Sequence, residues 1–108
     1  MNLTLSLIMI IHGLIHLMGF AKAFKLAKVK ELTQPISKFM GILWLVGAIL
    51  FVVAFALSIS GAKEWWMVGF PAVIVSQFLI INYWKDAKFG TIANALVLFV
   101  IAWMFIQG

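Results

Sequence analysis

The sequence contains no cysteine, no arginine and only three acidic residues among its 108. Without cysteine, disulfides, thiolate metal sites, iron–sulfur clusters and dithiol redox chemistry are excluded. The acids Glu31, Glu64 and Asp86 each lie next to a lysine and outside the apolar segments. No carboxylate inside those segments is available to assist a histidine or to activate a serine. The residue types therefore favour a protein that is not an enzyme.

Charge is confined to short parts of a very apolar chain. Hydrophobic residues make up 66% of the sequence, charged residues 10%, and the mean hydropathy is +1.18. These values are too apolar for a soluble domain of this size. The charge-free segments 1–21, 39–62, 65–84 and 89–108 each reach the roughly 20 residues of a membrane-spanning helix. The sequence predicts an all-α membrane protein, a single domain over residues 1–108 that forms a four-transmembrane-helix bundle.

Proline, glycine and interfacial aromatic residues indicate where the helices begin and end. We expect helices over about residues 3–24, 36–58, 65–84 and 91–106. Pro35 suits the first turn of the second helix, with Thr33 or Gln34 as its cap. The basic stretch between Phe24 and Gln34 is expected to be a loop rather than an interfacial helix, because it is short for independent surface binding. The connector between the second and third helices is short, which predicts that these two helices are antiparallel neighbours.

The lysines are distributed unevenly among the three connectors. The second connector holds only Lys63, and the first and third hold seven lysines, namely Lys22, Lys25, Lys28, Lys30, Lys38, Lys85 and Lys88. Positive residues collect on the cytoplasmic side of membrane proteins. We therefore expect an antiparallel up-and-down bundle with both termini outside. Membrane orientation also explains the net charge of +5, so nucleic acid is not expected as a partner.

Both histidines of the chain lie in the first apolar segment, four residues apart. Because each helical residue turns about 100°, His12 and His16 share one face of the helix. Further residues on the same stripe are Leu5, Met9, Gly19 and Ala23. An imidazole in hydrocarbon without a partner is costly, so this face is expected to contact protein rather than lipid.

Polar residues in the third and fourth helices are expected at a depth similar to that of the histidines. Gln77 and Asn94 are predicted to form one interhelical layer with His16, with Ser76 between the levels of His12 and His16. Such groups either hydrogen-bond across the bundle, at roughly 0.6 kcal/mol each, or line a small ligand cavity. The candidate ligand-binding residues are His12, His16, Ser76, Gln77 and Asn94, and no catalytic residue is predicted.

A cavity at this level would suit a quinone headgroup, a haem or a small solute. Axial ligands approach haem iron from opposite faces, whereas His12 and His16 project from the same side of one helix and cannot both ligate one haem. A zinc site would need further nitrogen, oxygen or sulfur ligands beside the two imidazoles, and the apolar segments contain no carboxylate or thiol. We expect no metal and no cofactor, unless the cavity binds quinone or haem.

Three stretches of the chain carry a resemblance to known proteins: HGLIHLMGFAKAF at 12–24, TQPISKFMGILW at 33–44 and SQFLIINYWKDAKFGTIAN at 76–94. Together they resemble a group of uncharacterised bacterial four-helix membrane proteins that are similar in architecture to the DoxX-like family. The resemblance implies a four-helix bundle in a bacterial inner membrane. The family name implies an association with quinone-linked oxidation.

These observations lead to two functional hypotheses. The first is a small integral membrane protein that acts as a non-enzymatic accessory, assembly or interaction module, with the lipid bilayer and a second copy or another membrane protein as partners. The alternative is a redox-associated or solute-binding subunit. Its inner-leaflet cavity would be lined by His12, His16, Gln77 and Asn94.

Overall fold

The computed structural model describes residues 3–107. Within this range, the four apolar segments form helices. No strand occurs among these residues. A 3-10 turn over Lys63–Trp65 precedes the third helix, and the five α-helices are α1 (Leu3–Ala23), α2 (Lys38–Ile59), α3 (Trp66–Asn82), α4 (Trp84–Ala87) and α5 (Gly90–Gln107). By length and composition, four helical segments can cross a membrane: α1, α2, α5 and the stretch 63–82. The prediction of an all-α protein with four such helices is confirmed.

The second helix begins later than the sequence predicts. It starts at Lys38, and its cap is Ser37, whose hydroxyl accepts a hydrogen bond from the Met40 N–H at 3.2 Å. Thr33 and Gln34 do not cap it, because the helix begins several residues after them, and both residues bind Asp86 instead. Residues 24–37 contain no helix, so the prediction of a loop in this connector is confirmed.

The second helix ends shortly before Gly61, which adopts a backbone conformation that favours glycine. Gly61 has φ +84°, in the left-handed region that side-chain-bearing residues rarely adopt. The next N–H, that of Ala62, then returns to the carbonyl of Leu57 at 3.0 Å. This pattern is a Schellman motif, which satisfies a carbonyl that the helix end would leave open.

Small residues allow α1 and α2 to pack closely. A Cβ atom added to Gly19 would overlap the indole of Trp44, and one added to Gly41 would overlap Ala23. The helices approach so closely at these points that only glycine fits, as is typical of helix contacts in membranes. Ala23 and Gly41 lie at the end of the bundle that carries the first connector, which we call the lysine-rich end.

A dry apolar core fills the opposite half of the bundle, which we call the far half. Its members come from every long helix, and the innermost of them are fully buried: Met9, Phe51, Ala54, Ala72 and Val97. Many large apolar side chains, 28 among residues 3–107, are instead exposed, as expected for surfaces that face lipid. The least covered of the four long helices is α5, which buries only Asn94, Val97 and Ile101.

Candidate polar site and cavity

One face of α1 carries the histidines into the bundle. The buried residues of this helix repeat every three or four positions and include Leu5, Met9, His12, His16 and Gly19. His12 is 6% exposed and His16 is 1% exposed. The prediction that this stripe faces protein is therefore confirmed.

Ser76 is the centre of a buried hydrogen-bonded cluster. Its hydroxyl lies 2.8 Å from His16 Nε2, 3.2 Å from His12 Nε2 and 3.0 Å from Asn94 Nδ2. His12 Nε2 also lies 3.1 Å from Asn94 Oδ1, so α1, α3 and α5 meet at one polar contact. The other ring nitrogen of His16, Nδ1, lies 2.7 Å from the backbone carbonyl of His12.

The backbone carbonyl of His12 fixes which atoms donate and which accept in the cluster around Ser76. A carbonyl only accepts, so His16 Nδ1 carries a proton, and the neutral ring then has Nε2 as an acceptor. Ser76 must give its one proton to His16 Nε2, which leaves the Ser76 oxygen to accept from the Asn94 amide nitrogen. The Asn94 oxygen then faces His12 Nε2, so His12 carries its proton on Nε2. The cluster closes with both imidazoles neutral, and its proton positions follow from the bonding pattern.

The cluster continues along α3 and α5 away from the histidines. Asn94 donates its second N–H to Gln77 Oε1 at 3.0 Å, and Gln77 donates to the Thr91 hydroxyl at 3.2 Å. His16, Gln77 and Asn94 thus belong to one layer, as expected. The direct neighbour of His16 is Ser76, however, and Gln77 joins the layer through Asn94. Thr91 lies three residues before Asn94, and this spacing places both on one face of α5.

A cavity of about 410 Å³ lies beside this cluster. His12 and His16 form part of its wall, together with Trp44 from α2, Ile80 from α3 and the first turn of α5. Most of the remaining lining is aliphatic, and Ile11 and Ile15 on the same wall are half-exposed. Of the five candidate site residues, only the two histidines reach the cavity, since Ser76, Gln77 and Asn94 support them from behind. The cavity is therefore an apolar volume with an imidazole edge.

Gly90 brings α5 against the histidine wall. A Cβ atom added there would lie 2.8 Å from Ile80 Cδ1 and 3.2 Å from His12 Cε1. Glycine therefore lets the first turn of α5 approach the imidazole without filling the cavity.

The two basic connectors meet where the cavity reaches the lysine-rich end. Asp86 accepts three hydrogen bonds, from the Thr33 hydroxyl and N–H at 2.7 Å each and from the Gln34 N–H at 2.9 Å. These bonds, the Thr33 hydroxyl foremost, together with the charge of Lys85, hold the pKa of Asp86 below its ordinary value. Lys22 ties the same connector down by donating to the Leu32 carbonyl. Glu31, Leu32 and Asp86 all line the cavity, which sequence analysis did not predict because the two connectors are more than fifty residues apart.

The two histidines do not offer a pair of free ring nitrogens to one haem or metal ion. Both ring nitrogens of His16 are held in hydrogen bonds, and His12 has only Nδ1 without a partner among residues 3–107. Ligation of one haem by both histidines is therefore not compatible with this bonding pattern. Within the described residues there is also no group of three His, Asp or Glu side chains that could hold a metal.

The fold and the site define a class: a small protein with four helices of membrane-spanning character, a neutral histidine–serine–asparagine cluster and an adjoining apolar cavity. Comparisons with protein-family models, with characterised proteins and with solved structures found no match to this chain. The function is therefore inferred chiefly from the geometry of this site.

Proposed function

We propose that this protein is a small, non-enzymatic integral membrane protein that binds a lipophilic molecule with a polar end in the cavity beside His12. The proposal develops the solute-binding alternative that the sequence left open. A redox-associated role with a quinone-class ligand falls within it. The resemblance to the DoxX-like family agrees with such a ligand and with a bacterial inner membrane.

The observation that carries the proposal is the cavity itself. Ligand sites are concave, mostly apolar and contain a few polar groups that orient the guest. The volume of about 410 Å³ lies within the usual range of such sites, and His12 supplies a polar edge. The half-exposed Ile11 and Ile15 provide an apolar approach from the lipid side.

A cavity-filling substitution tests this function. Ala93 lines the cavity, whereas Ala95 on the same helix is exposed and lies outside it. Native mass spectrometry of the solubilised protein with decylubiquinone should show a saturable one-to-one adduct in the wild type and in Ala95→Phe. The adduct should be lost in Ala93→Phe. Equal adducts in both variants would exclude ligand binding in this cavity, and no adduct in the wild type would exclude an oxidised quinone as its ligand.

A second candidate function is the accessory or interaction module, and the exposed surface of α5 favours it. This helix presents Ile92, Phe99 and Trp103 on its uncovered side, each more than half exposed. Lipid alone satisfies such a surface, but so does a helix of a second copy or of another membrane protein. Cross-linking through Phe99→Cys in membranes distinguishes the two, because a dimer gives a disulfide-linked band and lipid contact gives none.

We further infer that the four membrane-spanning segments run alternately up and down with both termini outside. Contacts between Ser6 and Ser58 at one end of the α1–α2 pair, and between Ala23 and Gly41 at the other, support this alternation. The lysine-rich end would then face the cytoplasm.

Cysteine labelling tests the orientation in this cysteine-free chain. A membrane-impermeant thiol reagent added outside intact cells should label Ser60→Cys and not Ala27→Cys. The reverse pattern would invert the topology.

A further inference from the structure

The direction of the hydrogen bonds around Ser76 leaves one atom of the histidine wall free to bind a guest. Because His12 carries its proton on Nε2, its Nδ1 is an acceptor. Among residues 3–107, two buried side-chain atoms are closed off from solvent and have no hydrogen-bond partner, Gln34 Oε1 and Trp44 Nε1. His12 Nδ1, which also lacks a partner within that range, is thus accessible, and His12 lines the cavity.

Trp44 lies in the same wall but offers a guest no hydrogen bond. Its side chain is 3% exposed, and its indole N–H is buried without an acceptor in the described part of the chain. Because that N–H is closed off from the cavity, a bound molecule does not reach it. The accessible wall therefore lacks one group, a donor for His12 Nδ1.

This free acceptor selects among the molecules that could fill the cavity. A carbonyl or an ether oxygen has no proton for His12 Nδ1. A hydroxyl can donate to it. Glu31 and Asp86, which line the cavity toward the connectors, disfavour an anionic end such as a carboxylate.

We propose that the cavity selects a neutral lipophile that carries a hydroxyl group, such as a phenol, a hydroquinone or a long-chain alcohol, and that the hydroxyl donates its proton to His12 Nδ1. This inference rests on the proposed ligand-binding function and adds the chemistry of the ligand. Within the quinone class it favours the reduced hydroquinone over the quinone.

A matched pair of probes tests the preference with the unaltered protein. 4-Nonylphenol and its methyl ether, 4-nonylanisole, have similar size and tail but differ in the hydroxyl proton. Titrations followed by native mass spectrometry should give a Kd roughly 5-fold lower for the phenol, the gain expected from one net hydrogen bond. Parallel titration with 1-dodecanol separates an aromatic hydroxyl from an aliphatic one as the preferred donor.

The outcomes separate the two proposals. If neither nonyl probe forms a one-to-one adduct that Ala93→Phe abolishes, the ligand-binding function is wrong. If both bind in the cavity with equal Kd, or the ether binds more tightly, the function stands and the hydroxyl preference is wrong.

A substitution at His12 checks which atom receives the proton. In His12→Leu the acceptor Nδ1 is lost and no oxygen or nitrogen takes its place, and comparing the two probes within one variant cancels the general cost of the substitution. The phenol-to-anisole ratio of affinities should then fall from roughly 5-fold to about one. A ratio that stays at its wild-type value would overturn the assignment of His12 as the acceptor.

Discussion

The two halves of this bundle are built from the same helices but are filled differently. In the far half, Phe51, Ala72 and Val97 pack with no exposure, and one serine pair, Ser6–Ser58 at 2.9 Å, joins α1 to α2. In the half toward the lysine-rich end, small polar side chains hold α1, α3 and α5 together around Ser76 and leave a cavity beside them. Apolar packing fills one half, whereas the other half combines these hydrogen bonds with a smaller apolar cluster of Trp44, Leu79 and Tyr83 and leaves a cavity open.

Enlarging an alanine in each half should give the largest difference between them. Ala72 is fully buried in the dry core, so Ala72→Leu should destabilise by about 1–3 kcal/mol through overpacking. Ala93 borders the cavity, where the added atoms have room, so Ala93→Leu should be neutral or mildly stabilising. Thermal unfolding in detergent measures both, and equal losses would mean that the cavity half is as tightly packed as the core.

Removing a serine from each half tests whether the polar cluster is more than a local pair. Ser76→Ala leaves His16 Nε2 without its donor and Asn94 without an acceptor, at a cost of about 1–3 kcal/mol. Ser58→Ala removes one interhelical bond and should cost roughly 0.6 kcal/mol. The unfolding midpoints of the two variants give the comparison directly. A Ser58→Ala loss as large as that of Ser76→Ala would contradict it.

Double-mutant cycles should resolve the order of contacts inside the cluster. His12 and Asn94 touch, so leucine substitutions at these positions should couple by roughly 0.5–1 kcal/mol. His16 and Gln77 have different direct partners, Ser76 and Asn94, and should couple more weakly. Stability of the single and double variants supplies both coupling energies. Stronger coupling of His16 to Gln77 would indicate a contact that the bonding pattern does not contain.

Periodicity and charge were sufficient to predict the helices and the inward face of α1. The i, i+4 spacing of His12 and His16 fixes a shared helix face whatever packs against it, and the buried stripe agrees with it. Depth along each helix was enough to place Ser76, Gln77 and Asn94 near the histidines. Depth says nothing about rotation around the helix axis, so the central position of Ser76, rather than Gln77, was not predictable.

The cavity and its connector side could not be predicted for a different reason. Whether four helices leave a gap depends on how closely each pair approaches, which Gly19 and Gly90 influence through contacts with Trp44 and His12 in other helices. Asp86 reads in the sequence as one more charge beside a lysine. Only the folded chain brings it to Thr33 and Gln34, whose backbone N–H groups donate to its carboxylate.

The smallest expected effect concerns the contact between connectors that covers the cavity. Because hydrogen bonds lower the pKa of Asp86 below its ordinary 3.8, the charged carboxylate should hold Thr33 and Gln34 at neutral pH and down to about pH 4. The stabilisation is present above the unfolded-state pKa and is lost as the pH falls through the lower folded-state pKa.

Asp86→Asn at neutral pH should imitate that loss and raise amide exchange at Thr33 and Gln34 a few-fold, while the exposed control Glu31→Gln should not. Because Asp86 is accessible to solvent, global stability should hardly change, so faster exchange confined to the connector would locate the effect at this contact. Unchanged exchange in Asp86→Asn would mean that packing of Leu32, rather than the carboxylate, holds the connector over the cavity.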